Sequence, residues 1–357
     1  MAMKYSKTNI LLAILLPIQV LLVQFLSQKP IWIEQYYSNG IYKIISKTLR
    51  AILGWIPFSF GDIIGLLLIL LFIKGLYKLI KTKFTTFIPQ LLKLLSFFSV
   101  IYFCFYTFWG LNYFREPLAK NLGLQQSEYT TSQLYNATEK IATQLTKIHF
   151  QITQNDTLEV IVPYSSKKIY QLAPNGFDEL AKIYPQLSYK TSSVKSSLVS
   201  LLQSYNGTSG YINPITGEAQ VNNQIPKTGY ASTTCHEMAH QIGWSAENDA
   251  NFVGFLACIN NNDIYFKYAG YRMAFRYCIN ELHKRDKKLA NTLKKTVNKG
   301  VFKDYKNSYL HWKQFDNPIE PYLKKGYNSY LKANNQANGI KSYSYVVDLL
   351  IAYFKNN

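Results

Sequence analysis

The sequence predicts a mainly α-helical, α+β protein in two parts: three N-terminal transmembrane helices within residues 1–114, then an extramembrane, helix-rich domain with a small β-sheet over residues 115–357. Three observations carry this expectation. Only 17% of the 357 residues are charged, which is low for a water-soluble chain. Three long apolar runs fall in the first third. From about residue 115 onward the chain reads as one helical domain, interrupted by a short strand-like run and a hairpin.

The first run, residues 9–26, carries no charge and follows Lys4 and Lys7. It is long enough to span, and the sequence after it lacks the small-x-small pattern of a signal-peptide cleavage site, so an uncleaved span is expected. Residues 36–55 read as an amphipathic, partly basic segment lying on the membrane surface. The second run, 60–80, is most apolar at 63–73, and Lys74 and Lys78 near its end can snorkel to the interface. The third run, 94–114, is uncharged and ends in aromatic residues, as spans do near an interface. Lys4 and Lys7 would share one side of the membrane with Lys74, Lys78, Lys81, Lys83 and Lys93. That side should be cytoplasmic, which leaves the C-terminal domain outside the cytoplasm. The opposite loop carries Lys29, Lys43, Lys47 and Arg50, so the contrast is partial.

In the domain, residues 132–148 read as a helix, 158–163 (LEVIVP) as a short strand and 177–184 as a helix. Residues 210–222 read as a hairpin turning at 214–217. A helix is expected over 232–242, capped by Ser232 and stopped by Gly243. Residues 246–282 read as two helices or one broken helix. Tyr268, Tyr271, Phe275 and Tyr277 form a stripe at near-helical spacing, expected to pack on the preceding helices or to rest on the membrane surface.

The formal net charge is +19, but the lysines are scattered and no nucleic-acid motif stands out, so nucleic acid is not an expected partner. The four cysteines, Cys104, Cys235, Cys258 and Cys278, include no CxxC pair and do not form a disulfide framework. Cys235 adjoins His236, yet on a helix it would point about 100° away, so buried packing is expected of it.

The chemistry concentrates in TTCHEMAHQIGWSAENDANF. His236, Glu237 and His240 form HExxH. Residues four apart share one helix face, so both imidazoles can bind one Zn²⁺. Glu237, beside the first ligand, can act as general base on the attacking water. A catalytic zinc site takes a third protein ligand. Glu247, opening the next helix, is favoured. Asp249 competes, but it lies about 200° around the helix from Glu247, so both cannot face one ion. Asn251, one turn beyond Glu247, can hydrogen-bond a ligand histidine. For the oxyanion-stabilising role, His311 is singled out, with Tyr309 and Tyr343 as alternatives. His149 and His283 are expected to be non-catalytic.

The pattern HExxH followed by ExxAN, at 236–240 and 247–251, resembles the gluzincin superfamily of zinc peptidases. The membrane-bound HtpX-type and CAAX-prenyl peptidases carry a similar second motif. The chain as a whole resembles an uncharacterised family of bacterial membrane proteins with three N-terminal spans and a gluzincin-like domain. The resemblance rests on PFSFGDIIG, NPITGEAQVN, HEMAHQIG, ENDANFVGFLAC and YLKANNQANGIKSYSYVVDLL and covers almost the entire chain. It implies a multi-pass protein of the bacterial inner membrane, with zinc held by His236, His240 and Glu247. It also implies Glu237 as base, and a peptide or protein as substrate with membrane lipid as surroundings. It implies an edge strand beside the metal helix, for which residues 219–223 are the candidate. Only six residues separate His240 from Glu247, so the two helices must pack tightly. A catalytically silent receptor or scaffold retaining the fold is the rival expectation.

Overall fold

The computed structural model describes residues 6–82, 85–125 and 128–356. Lys4 and Lys83, part of the charge bias above, lie outside the described residues. Three helices are long and apolar enough to cross a membrane: α1 (Lys7–Ser27), α4 (Phe60–Lys81) and α5 (Phe87–Phe108). At 21 or 22 residues each, they match the ~20 a bilayer core requires. Their sides expose leucines, isoleucines and phenylalanines such as Leu21, Leu70 and Phe103, all more than half exposed. Ser96 on α5 donates to the carbonyl of Asn9 on α1 (2.8 Å), tying the two together.

Between α1 and α4 the short α2 (Pro30–Trp32) runs into a π-helical stretch, Ile33–Ile41, and then α3 (Tyr42–Leu53). Buried Tyr42, Ser46 and Arg50 are spaced one turn apart on the face of α3 that meets the C-terminal domain. Ile44 and Ile52 are exposed on the other side. The expected third span, 94–114, is displaced: the helix begins at Phe87 and ends at Phe108. Gly110–Phe114 then form a buried 3₁₀ turn. Its aromatic end is therefore core rather than an interfacial belt. The cause is polar as well as apolar: Trp109 Nε1 donates to the carbonyl of His240 (3.1 Å), and Ser38 donates to Asn112 (2.8 Å).

The chain continues with α6 (Leu118–Asn121) and α7 (Thr131–Thr153). A reciprocal Thr130–Gln133 capping box starts α7, and the helix runs past the expected 148. Residues 158–163 are not a strand. Val160 N–H donates to the Asp304 carboxylate, and the Leu158 carbonyl pairs with His149 Nε2. The apolar run is irregular backbone held by side chains, and it pairs with no strand among the described residues. Helix α8 (Ser166–Ile183) begins well before the expected 177. Ser165 caps it, and it carries Pro174 within.

Strand β1 (Val194–Ser196), helix α9 (Ser200–Tyr205) and strands β2 (Gly210–Ile212) and β3 (Ala219–Val221) follow. The hairpin is present as β2 antiparallel to β3, but β1 also pairs with β3, in parallel. The order β1-β3-β2 makes β3 the fully buried central strand. The expectation that 219–223 forms an open edge is thus overturned: both sides of β3 are already hydrogen-bonded, and the edge beside the HExxH helix is β2.

Helices α10 (Lys227–Gln241), α11 (Glu247–Asn260) and α12 (Ile264–Arg285) form the centre of the domain. Ser232 is no cap. It lies inside α10 and donates to the Gly229 carbonyl, because the helix already begins after Pro226. Gly243 does end it, with φ +91°. Residues 246–282 resolve into two helices, Asp263 capping the second. Phe177, Tyr230, Trp244, Phe252, Phe255, Phe266 and Phe275 fill the core between α7, α8, α10, α11 and α12. In the aromatic stripe, Tyr268 and Phe275 are fully buried, so it packs inward. All four cysteines are free, and Cys235 is completely buried. The chain closes through α13 (Lys287–Lys294), α14 (Lys299–Lys313), α15 (Glu320–Ala333), a 3₁₀ turn at Gly339–Tyr345 and α16 (Val346–Asn356).

Candidate metal centre

The HExxH residues occupy the last two turns of α10, and Glu247 is the first residue of α11. His236 and His240 face the same side, their rings 4.6 Å apart and nearly perpendicular. Glu247 Oε2 lies 3.2 Å from His236 Nε2 and 3.6 Å from His240 Nε2. Ligand atoms about 2.0–2.1 Å from a tetrahedral zinc stand roughly 3.3 Å from one another, so these separations suit a shared ion. The three residues form a group that can hold a metal.

Hydrogen bonding prepares the same atoms. His236 Nδ1 pairs with Asn251 Oδ1 at 3.0 Å, and His240 Nδ1 with the Trp244 carbonyl at 2.7 Å. Both partners accept, so each ring carries its proton on Nδ1 and turns an Nε2 lone pair toward Glu247. Glu247 Oε1 accepts from the Tyr327 hydroxyl (2.8 Å), whereas Glu247 Oε2 is buried with no hydrogen-bond donor. Such an atom is costly to leave unpaired and is the one a cation would satisfy. Without an ion, burial opposes ionisation of Glu247, but His240 and His236 together outweigh it and depress its pKa. His240 moves the other way. Burial lowers its pKa, while the carboxylates of Glu247 and Glu237 more than offset that and raise it.

Glu237 is buried beside the cluster, and its Oε2 has no partner. Burial pushes its pKa up to about 7, against the pull of the two histidines. A carboxyl poised there can take or give a proton near neutrality. Asp249, the competing ligand, is not in the cluster. It is buried on another side of α11, where burial raises its pKa to about 7 against hydrogen bonding from the Leu118 backbone and the charge of Arg115.

Close helix packing answers the short spacer. A β-carbon on Gly254 would sit 3.0 Å from His236 N, so α11 approaches α10 at the turn that carries His236 as only glycine allows. The base of the turn is held from the N-terminal third of the chain. Tyr42 and Ser46 donate to the Gln241 carbonyl (3.0 and 2.6 Å), and Arg115, stacked on Trp244, donates to the Gly243 carbonyl. Nothing in the motif signalled these supports.

A cleft of about 720 Å³ opens over Glu237, bordered by β2, Trp109, Arg276 and the tyrosines Tyr327 and Tyr343. That volume is ordinary for a ligand site. Gly210 faces Glu237 directly: a β-carbon there would fall 2.7 Å from Glu237 Oε1. Tyr343 reaches the cleft and pairs with the Tyr327 hydroxyl (3.2 Å). His311 is not among the residues lining the cleft. It sits on α14 with its ring against Trp312 and Phe315, and Tyr309 is largely exposed on the same helix. Their place late in the sequence put them on α14, while the 3₁₀ turn and α15 return to the cleft and to Glu247. His149, bonded to Leu158 and Asn298, lies apart in the core.

Compared with known proteins, residues 37–351 match a family model described as Protein of unknown function (DUF3810). No curated protein and no solved structure matches significantly.

Proposed function

The chain belongs to this DUF3810 family, and on that premise we propose that it is a membrane-anchored, zinc-dependent metallopeptidase that hydrolyses peptide or related amide bonds. The observation that carries the reading is the convergence of two imidazole Nε2 atoms on Glu247 Oε2, with a second buried carboxylate, Glu237, whose Oε2 has no hydrogen-bond partner, next to them. A purely structural metal site has no use for Glu237. His236, His240 and Glu247 hold the ion, which when bound polarises a carbonyl and lowers the pKa of water toward ~7. Glu237 takes the proton of the attacking water and delivers it to the leaving amine. Asn251 fixes the tautomer of His236. An extended peptide adds to the free edge of β2 by backbone hydrogen bonds. Tyr343, in place of His311, offers its hydroxyl to the developing oxyanion. The domain faces away from the cytoplasm in the inner membrane.

The test uses full-length protein in detergent. Bound zinc per chain and cleavage of a peptide library are compared between the wild type and Glu237→Gln. The expected result is about one zinc in both, with a loss of ~10²–10⁴-fold in cleavage for the variant. Zinc in both and cleavage by neither would instead assign the chain to the silent scaffold class.

A further inference from the structure

The site lies one short strand from the first turn of α4. Strand β2 starts at Gly210, against Glu237. Its next residue, Tyr211, donates its hydroxyl to Asp62, in the first turn of α4. The same carboxylate accepts from Ser197 Oγ (2.9 Å) and from the backbone N–H of Leu198 (2.7 Å), just before α9. Glu218, at the turn before β3, accepts from the N–H groups of Phe60 and Gly61 and from buried Lys195. Neighbouring strand residues face opposite ways, so β2 stands between Glu237, on the Gly210 side, and the first turn of α4, on the Tyr211 side. Trp109 and Tyr113, also bordering the cleft, continue α5. Helix α5 thus runs directly into the wall of the cleft, and α4, which contributes no lining residue, is tied to the β2 wall through Tyr211 and Asp62.

Helix α9 adds an apolar rim. Val199 and Gln203 line the cleft, while Leu198, Leu201 and Leu202 point outward, each more than half exposed. Asp62 holds the backbone of Leu198 beside the first turn of α4, so this apolar rim starts at the level where a helix long enough to span begins, a level that a bilayer surface would cover.

We propose that the substrate is the juxtamembrane segment of a polypeptide held in the bilayer by its own apolar anchor, which reaches the cleft along the membrane surface past α9. This rests on the peptidase reading and names its substrate class. Tethering in the membrane replaces a bimolecular encounter by one at high effective concentration.

The test co-reconstitutes the full chain in liposomes with three probes sharing one randomised segment of about 12 residues. In the first the segment directly follows a polyleucine span, in the second a Gly/Ser linker of about 30 residues intervenes, and the third is the free peptide. Direct attachment is expected to raise the cleavage rate at least tenfold over both others. Leu201→Glu with Leu202→Glu, both on exposed positions, should remove at least five-fold of that preference and leave free-peptide cleavage unchanged. Equal rates for the three probes would overturn the inference while leaving the peptidase reading intact. A photo-crosslinker at position 203 in the Glu237→Gln background separates the failures. Selective capture of the directly attached probe without cleavage by the wild type would sink the peptidase reading and keep the docking surface. Neither cleavage nor selective capture would remove both.

Discussion

At the scale of single residues, the centre is defined by which atoms remain unpaired. Each imidazole spends Nδ1 on an acceptor, and Glu247 spends Oε1 on Tyr327, leaving two Nε2 atoms and one oxygen that meet. Removing an outer partner should loosen the ion without touching it: Asn251→Ala is expected to weaken zinc binding by ~10–100-fold, read by competition with a chromogenic chelator. Asp249→Asn should retain full zinc occupancy, since Asp249 faces Arg115 and the Leu118 backbone rather than the cluster. Loss of the ion in that variant would exchange the assignments of the two acids. The titration also has a sign. In the ion-free protein His240 has a pKa raised above 6.5, so it contributes stability fully below the unfolded value and loses it as pH rises through the folded one. Glu247 has a pKa depressed below 4.5, so its contribution is present above that value and disappears as pH falls through the lower folded one. Zinc needs the neutral imidazole, so its affinity should fall steadily as pH drops through the raised pKa of His240. A zinc affinity independent of pH between about 6 and 8 would contradict this.

Helices and strands set where those atoms go. The approach of α11 to α10 depends on Gly254, and Gly254→Val should lower zinc affinity at least tenfold, a larger effect than its change in thermal midpoint would lead one to expect, because its side chain would push on the backbone of His236. The attachment of α4 depends on a buried pair. Glu218 and Lys195 are almost completely inaccessible, and Glu218 also receives two backbone N–H groups from the first turn of α4. Glu218→Ala strands a buried ammonium and is expected to destabilise the protein by about 3–5 kcal/mol, measured by denaturant unfolding in detergent. Replacing Lys195 by Met in the same background should recover part of that loss. Strand β3, central and buried on both sides, could not have been distinguished from an edge in the sequence. Its partner β1 is only three residues long and follows a loop without strand-like alternation.

For the molecule as a whole, the candidate metal centre is joined to the long apolar helices through the N-terminal third. Residues 33–53 and 109–114 brace the last turn of α10 through Tyr42, Ser46 and Trp109. The helix that carries HExxH therefore rests on the segments that join the long apolar helices. Zinc removal by a chelator should lower the thermal midpoint, and free zinc at 100 times its dissociation constant is expected to contribute about 2.7 kcal/mol of stability. A reporter enzyme that is active only outside the cytoplasm, fused after residue 357, should be active if the domain lies where the lysine bias puts it; activity of a cytoplasm-specific reporter instead would invert the topology.

Composition and spacing determined by themselves the three long apolar helices and the pairing of His236 with His240. Helical periodicity and bilayer thickness are local rules that a chain cannot evade. They also put Glu247 on the next helix, because a glycine stop and a following acidic start are legible in sequence. Only the tertiary structure decided that Trp109 belongs to the base of the metal helix rather than to a membrane belt. It likewise decided that β2 and not β3 is the open edge, and that Tyr343 rather than His311 reaches the cleft. Each of these depends on which distant segments are close in space, and on which backbone donors and acceptors are already taken. Such contacts arise between residues far apart in the chain, so no short-range pattern records them.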